Sequence, residues 1–199
     1  MSIYDEILAE LIVLFKRNKA LQAFCTLPQS IPRQIVEPRH RAASNDLQNE
    51  TQFIGGAFAN LQAKLIAACP NMHWREVYRK DSNTPAGISF DFMERLGVYA
   101  IIGETGPYMS KDLSVYLVYM PANLIYPWHY HPAEELYLIL SGEGVFRRKG
   151  HEDRLVRESD IIIHDSNQPH EMQTYDSPLL SLAIWRNHLD IAPTLIADP

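Results

Sequence analysis

From Ile3 the chain repeats an apolar residue at helical intervals. Ile3, Ile7, Leu11 and Leu14 lie three or four apart in IYDEILAELIVLF, with Asp5, Glu6 and Glu10 between them. That spacing puts the apolar side chains on one stripe of an α-helix, and Ser2 with Asp5 offers an N-cap. TLPQSIPRQIVEPRHR follows with three prolines, which push their preceding residues toward extended backbone and predict a connector. Ile54, Phe58, Leu61 and Leu65 mark one face of a second helix. It is expected to end at Pro70, which has no N–H to continue the ladder. Near Trp74 the period changes. RLGVYAIIG, LSVYLVYMP, EELYLILSG, GVFRRKG, DIIIHDS and PLLSLAIWRN are short runs rich in β-branched and aromatic residues, separated by Gly, Pro, Asn and Asp. Such runs read as strands, and their regular spacing predicts an antiparallel barrel or sandwich. The pattern divides the chain into a helical N-terminal segment, residues 1–74, and a β-barrel domain, residues 75–199.

Composition narrows the class without naming it. The 199 residues are 46% hydrophobic and 21% charged, ordinary for one globular domain with a real core. A net charge of -6 argues against a nucleic-acid or other polyanionic partner. The apolar N-terminal stretch is broken by acidic residues and is too short to span a bilayer, so no membrane association is expected. The two cysteines, Cys25 and Cys69, form no CxxC and read as buried thiols in a reducing compartment. A cytoplasmic location is expected. Neither pattern nor composition fixes an oligomeric state.

The chemistry concentrates in YPWHYHPAEELYLILSGEG, Tyr126 to Gly144, where metal-type ligands sit among aromatic rings. Side chains two apart on a strand share a face. His129 and His131 are two apart, as are Glu135 and Tyr137, while Leu136, Leu138 and Leu140 take the opposite face of their run. Both pairs can face one cavity, where a single divalent ion collects imidazole nitrogens and a carboxylate oxygen and keeps positions open for substrate. Trp128 and Tyr130 alternate with the histidines and are expected in the core behind the site. His164, in IIIHDS, reads as inward-pointing without being a ligand.

HYHPAEELYLILSG, with His-x-His, three residues, Glu, six residues and Gly, resembles the first metal motif of the cupin superfamily. His129, His131 and Glu135 take its ligand positions and Gly142 its glycine. Asn123 stands where a glycine usually opens the motif. SDIIIHDSNQPHEMQT resembles a degraded second motif. His170 fits its histidine, while Ser159, Asp165, Asn167 and Thr174 stand where Gly, Pro, Gly and Asn are usual. With its helical N-terminal part and LAIWR near the end, the chain resembles the cupin-type dimethylsulfoniopropionate lyases of marine bacteria, in their DddQ-like branch. The resemblance implies a double-stranded β-helix, or jelly-roll barrel, behind an α-helical segment. It implies cleavage of a small zwitterionic sulfonium to dimethyl sulfide and acrylate at one divalent ion of the Zn, Fe or Mn class. His131, Glu135 and His170 would hold the ion, with Tyr137 on or beside it. His129 would be a further ligand or, with Tyr126, line the pocket. Trp185 is a further candidate for substrate contact. Glu134 competes with Glu135 as the ligand, and the spacing to Gly142 favours Glu135.

The residue types suit that chemistry. β-Elimination needs a base for a proton on carbon next to a carboxylate, and a cation beside a phenol lowers its pKa from roughly 10. Tyr137 is the candidate base, and aromatic faces can host the sulfonium. Each has an ordinary rival: Tyr137 as a packed strand tyrosine, Trp185 as core. Two other functions fit the same ligands, an Fe(II) dioxygenase acting on a small substrate and a ligand-binding cupin without turnover.

Overall fold

A computed structural model describes residues 1–53, 55–78, 85 and 91–199. The N-terminal part holds α1 (Ile3–Arg17), α2 (Lys19–Phe24), α3 (Ala42–Gln48) and α4 (Ala59–Ala68), and α5 (Asp91–Arg95) follows later. A capping box starts α1: the Ser2 hydroxyl accepts from the Asp5 amide at 3.3 Å, and the Asp5 carboxylate accepts from the Ser2 amide at 2.9 Å. Ile7, Leu11 and Phe15 are buried, with Ile3 and Leu14 packed at the margin of the same core. Phe15, four residues after Leu11, takes the central place expected of Leu14. Leu61 and Leu65 are the buried face of α4, whereas Ile54 lies outside the described residues. Pro70 does not stop the chain dead. The α-helix ends at Ala68, and Cys69–Asn71 turn on as a 3₁₀ segment whose first turn has no use for the missing N–H. Both cysteines are free, Cys69 buried and Cys25 partly so, and burial pushes their thiols up to about 12 and about 11.

The strands are β1 (Gly97–Ile102), β2 (Leu113–Met120), β3 (Ile125–Tyr130), β4 (Glu134–Arg148), β5 (Arg154–Arg157), β6 (Ile161–His164), β7 (His170–Gln173), β8 (Leu179–Arg186) and β9 (Thr194–Leu195). They follow the order β1-β2-β8-β4-β7-β3-β9, with β5 and β6 also paired to β4. Every pairing between these strands is antiparallel. EELYLILSG and GVFRRKG, expected as two strands, form one strand of 15 residues. Its first part, through Gly142, pairs with β8 and β6, and its second part pairs with β5 and β7. One continuous strand thus passes from one side of a curled sheet to the other. At the change Gly142 has φ 77°, and a Cβ there would collide with the Pro178 carbonyl oxygen. Only glycine meets both demands. The result is the mostly β, jelly-roll type of barrel that the sequence led us to expect, with helices against it.

Because β2, β4 and β8 are covered on both faces, their alternate residues feed two cores. Leu136, Leu138, Leu140, Leu182 and Ile184 meet the helical side, in one cluster with Ile7, Leu11 and Leu65. Tyr137, Ile139, Phe146, Ala183 and Trp185 fill the barrel interior. Burial of each such aliphatic side chain stabilises the fold by about 1.5–3 kcal/mol. No helix among the described residues is long and apolar enough to cross a membrane.

Candidate functional site

The barrel interior holds the expected ligands. Glu135 and Tyr137 are two apart on β4, and both are buried on its inner side. Across β4, Glu135 faces Trp185 on β8 and His164 on β6, so strand register alone brings both side chains to the carboxylate. The Trp185 indole N–H donates to Glu135 Oε1 at 2.6 Å. His131 Nε2 and His164 Nδ1 each lie 3.2 Å from Glu135 Oε2, and His170 Nε2 lies 3.4 Å from the same oxygen. Glu134, one residue earlier, turns the other way. It pairs with Arg186 at 2.8 Å and accepts from Asn187 at 2.8 Å, which leaves Glu135 as the carboxylate of the cluster.

Three imidazoles are aimed by main-chain carbonyls. Their Nδ1 atoms sit 2.7 Å from the Pro127 oxygen for His129, 2.9 Å from Ala133 for His131 and 2.8 Å from Gln168 for His170. A carbonyl only accepts, so each Nδ1 carries the proton and each Nε2 turns toward the cluster. His170 Nε2 and His164 Nε2 are buried without a hydrogen-bond partner. The ligand atoms of His129, His131 and His170 lie within 4.8 Å of one another, as do those of Glu135, His164 and His170. Nitrogen donors with bare lone pairs, a carboxylate and burial together fit a first-row divalent cation.

The electrostatics fit that occupant. Burial pushes the Glu135 carboxyl up, but the charge of His131, hydrogen bonds from His131 and His164 and the nearby His170 imidazole outweigh it and hold its pKa well below the ordinary range. Burial, then repulsion from His170, holds His129 well below the usual imidazole value, and the same two causes bring His164 to about 3. His131 moves the opposite way: burial opposes its charge, yet Glu135 raises its pKa overall. His131 and Glu135 thus favour opposite charges side by side, and a cation would meet the same carboxylate. Burial, then the charge of Glu135, raises the Tyr137 phenol well above 10.

The aromatic residues are engaged in specific ways. Tyr126 is stacked on His129 at 4.0 Å and on Phe92 at 5.8 Å, and its hydroxyl is 2.8 Å from that of Tyr78. What it offers the pocket is an edge and an oxygen. Trp185 lies 4.2 Å from the His131 ring and edge-on to Tyr116. Tyr126 and His129 are three apart yet share the interior because the β3–β7 register slips between them. Trp128 and Tyr130, expected in the core, are only half-buried on β3.

Residue-level reading missed one member. His164 was expected to point inward without acting as a ligand, yet it stacks on His170 at 3.8 Å and touches Glu135. Its place opposite Glu135 depends on the β4–β6 register, which no local pattern prints. The degraded second motif still closes the site, since the Asn167 amide donates to the His131 carbonyl at 2.8 Å and the Ser166 hydroxyl to Pro132 at 2.7 Å.

The chain is similar to several known proteins. A family model for dimethylsulfoniopropionate lyases matches residues 16–181. The dimethylsulfoniopropionate lyase DddQ of Ruegeria pomeroyi is 38% identical over 192 residues, 96% of this chain and 93% of that protein. The crystal structure of DddQ from Ruegeria pomeroyi DSS-3 matches with a TM-score of 0.89 at 38% identity, over 97% of this chain and 95% of the other. A chain from the crystal structures of the lyases RdDddP and RnDddQII matches at 0.88 and 25% identity, over 98% of each.

Proposed function

Because the chain belongs to the dimethylsulfoniopropionate lyase family, we propose that it cleaves dimethylsulfoniopropionate to dimethyl sulfide and acrylate by β-elimination in the pocket around Glu135. The observation that carries this reading is the convergence of a buried carboxylate and several imidazoles on the strand face that also holds Tyr137. His131, Glu135 and His170 hold one divalent ion of the Zn, Fe or Mn class, and His129 joins them or borders the pocket. Such an ion would supply positive charge beside the substrate carboxylate and so acidify the neighbouring C–H bond.

The chain's own residues do the rest. Tyr137 as phenolate removes the proton from the carbon next to the carboxylate. The C–H pair becomes the C=C bond of acrylate, and the C–S pair leaves with sulfur as neutral dimethyl sulfide. No acid is needed for that leaving group. Burial and the charge of Glu135 raise the phenol's pKa, and a cation bound at Glu135 would offset the second of these causes. Trp185 and His164 hold the two oxygens of Glu135 from opposite neighbouring strands. Tyr126 and Trp185 border the substrate, in a pocket they share with Glu135 and Tyr137. The free cysteines support a reducing, cytoplasmic setting.

The test is anaerobic incubation of metal-loaded protein with dimethylsulfoniopropionate and headspace detection of dimethyl sulfide. Release without oxygen is expected. Release that requires oxygen, or none at all, overturns the reading.

A further inference from the structure

Among the described residues, a cation borders the pocket outside the histidine cluster. Arg75 lines the same cavity as Glu135, Tyr137 and Trp185. Its backbone is fixed: the Arg75 amide donates to the Val98 carbonyl at 2.8 Å. The preceding Trp74 is fully buried, and its indole donates to the Cys69 carbonyl at 3.0 Å. The guanidinium lies over the Tyr116 ring at 4.9 Å. Tyr116 is in turn edge-on to Trp185 at 5.6 Å.

What the guanidinium lacks is an anion. Among the described residues no carboxylate or carbonyl accepts from it, whereas Arg147, Arg154, Arg157 and Arg186 each pair with an acid. Arg75 is half-buried, and a half-buried guanidinium with its whole donor fork free is shaped for a planar anion. The cation–π contact with Tyr116 uses none of the guanidinium's N–H donors as hydrogen bonds.

We propose that Arg75 is a specificity-determining residue that recognises the carboxylate of the zwitterionic substrate and of the acrylate product. The inference rests on the reading of this pocket as the site of sulfonium cleavage. The guanidinium attracts the carboxylate and repels the sulfonium, so it orders the zwitterion along the pocket and rejects small cations that carry no carboxylate.

The experiment measures binding of sodium acrylate and of trimethylsulfonium to the metal-loaded protein by calorimetry, in the unaltered chain, Arg75→Met and Arg75→Lys. Metal content and thermal midpoint are recorded for each. Methionine keeps an unbranched stem over Tyr116 and removes the charge. Acrylate affinity is expected to fall about ten- to hundredfold in Arg75→Met and to recover in part in Arg75→Lys. Trimethylsulfonium affinity is expected to stay level or improve, and KM for dimethylsulfoniopropionate to rise more than kcat falls. Unchanged acrylate affinity in Arg75→Met overturns the proposal, as does an equal loss for acrylate and trimethylsulfonium, which marks a distorted pocket. Acrylate binding needs no turnover, so an unaltered chain that binds acrylate but releases no dimethyl sulfide contradicts the lyase reading and leaves Arg75's anion recognition measurable.

Discussion

Along β4 the helix-facing side and the barrel interior can be compared residue by residue. Leu136, Leu138 and Leu140 point to the helices and make an undirected apolar layer. Glu135 and Tyr137, between and beside them, point inward to four imidazoles and an indole. Both sides are equally buried, so burial does not separate them. The outer layer gains from leaving water with no partner in mind. The inner side gains nothing from burial until its charges are paired, because a buried carboxylate and bare nitrogens are costly alone. The lesson is that the helices stabilise the strand from outside and free its inner side for groups that would not stabilise it themselves.

Substitutions on the two sides should fail differently. The largest effect is expected from Glu135→Ala, which removes the carboxylate that the cluster holds among the described residues. Bound metal should be lost and turnover should drop at least about a thousandfold while the chain stays folded. Elemental analysis beside circular dichroism checks this, and full metal retention would contradict the ligand set. Leu138→Ala, three residues on and facing the helices, should do the reverse. Stability should fall by about 2–5 kcal/mol from lost burial and the cavity left behind, with turnover per folded molecule near normal. Urea midpoints and activity at low denaturant separate these outcomes.

A smaller effect is expected from pH. Burial, then repulsion from His170, brings His164 to about 3 against an ordinary 6.5. Between those values the unfolded chain binds a proton that the folded chain does not, so stability falls as pH falls through that window. His131 works in the other sense: its pKa is raised, so its contribution is present below the ordinary imidazole value and lost as pH rises through the raised one. His164→Leu should flatten the acid slope by up to one proton, about 1.4 kcal/mol per pH unit. Parallel urea series from pH 7 to pH 4 measure it, and identical slopes would contradict the assignment.

The smallest effect concerns the motif glycines that the chain lacks. Asn123, Ser159 and Asn167 stand where glycines are usual, and all three have positive φ, 57°, 73° and 59°. Ser159 and Asn167 thus hold the left-handed conformation that glycine adopts most readily, so the second motif reads as degraded in its letters alone. Ser159→Gly should relieve left-handed strain and stabilise the protein by less than about 1 kcal/mol, read as a small rise in thermal midpoint.

That contrast also explains what the sequence made legible. Alternation on β4 gave Glu135 and Tyr137 one face and the leucines the other, because strand parity is local. Helix α1 was legible from its cap and stripe for the same reason. His164, Trp185's bond to Glu135 and the slip on β3 were not, since each depends on which strands pair and in what register. The continuity of β4 through Gly142 was hidden too, because a glycine reads as a break until the crowding at Pro178 is known.

In the proposed reaction the inner face of β4 supplies the base. Tyr137→Phe keeps the ring and removes the hydroxyl, so it tests that claim directly when metal content is matched. In deuterated water, the unaltered protein should release dimethyl sulfide and place deuterium next to the carboxylate of recovered dimethylsulfoniopropionate wherever abstraction reverses. Its rate should rise with pH, because the phenol must ionise to act. The phenylalanine variant should lose turnover by about 10²–10⁴-fold and lose the exchange with it. Near-normal turnover and exchange in that variant would contradict the account and move the base to another group.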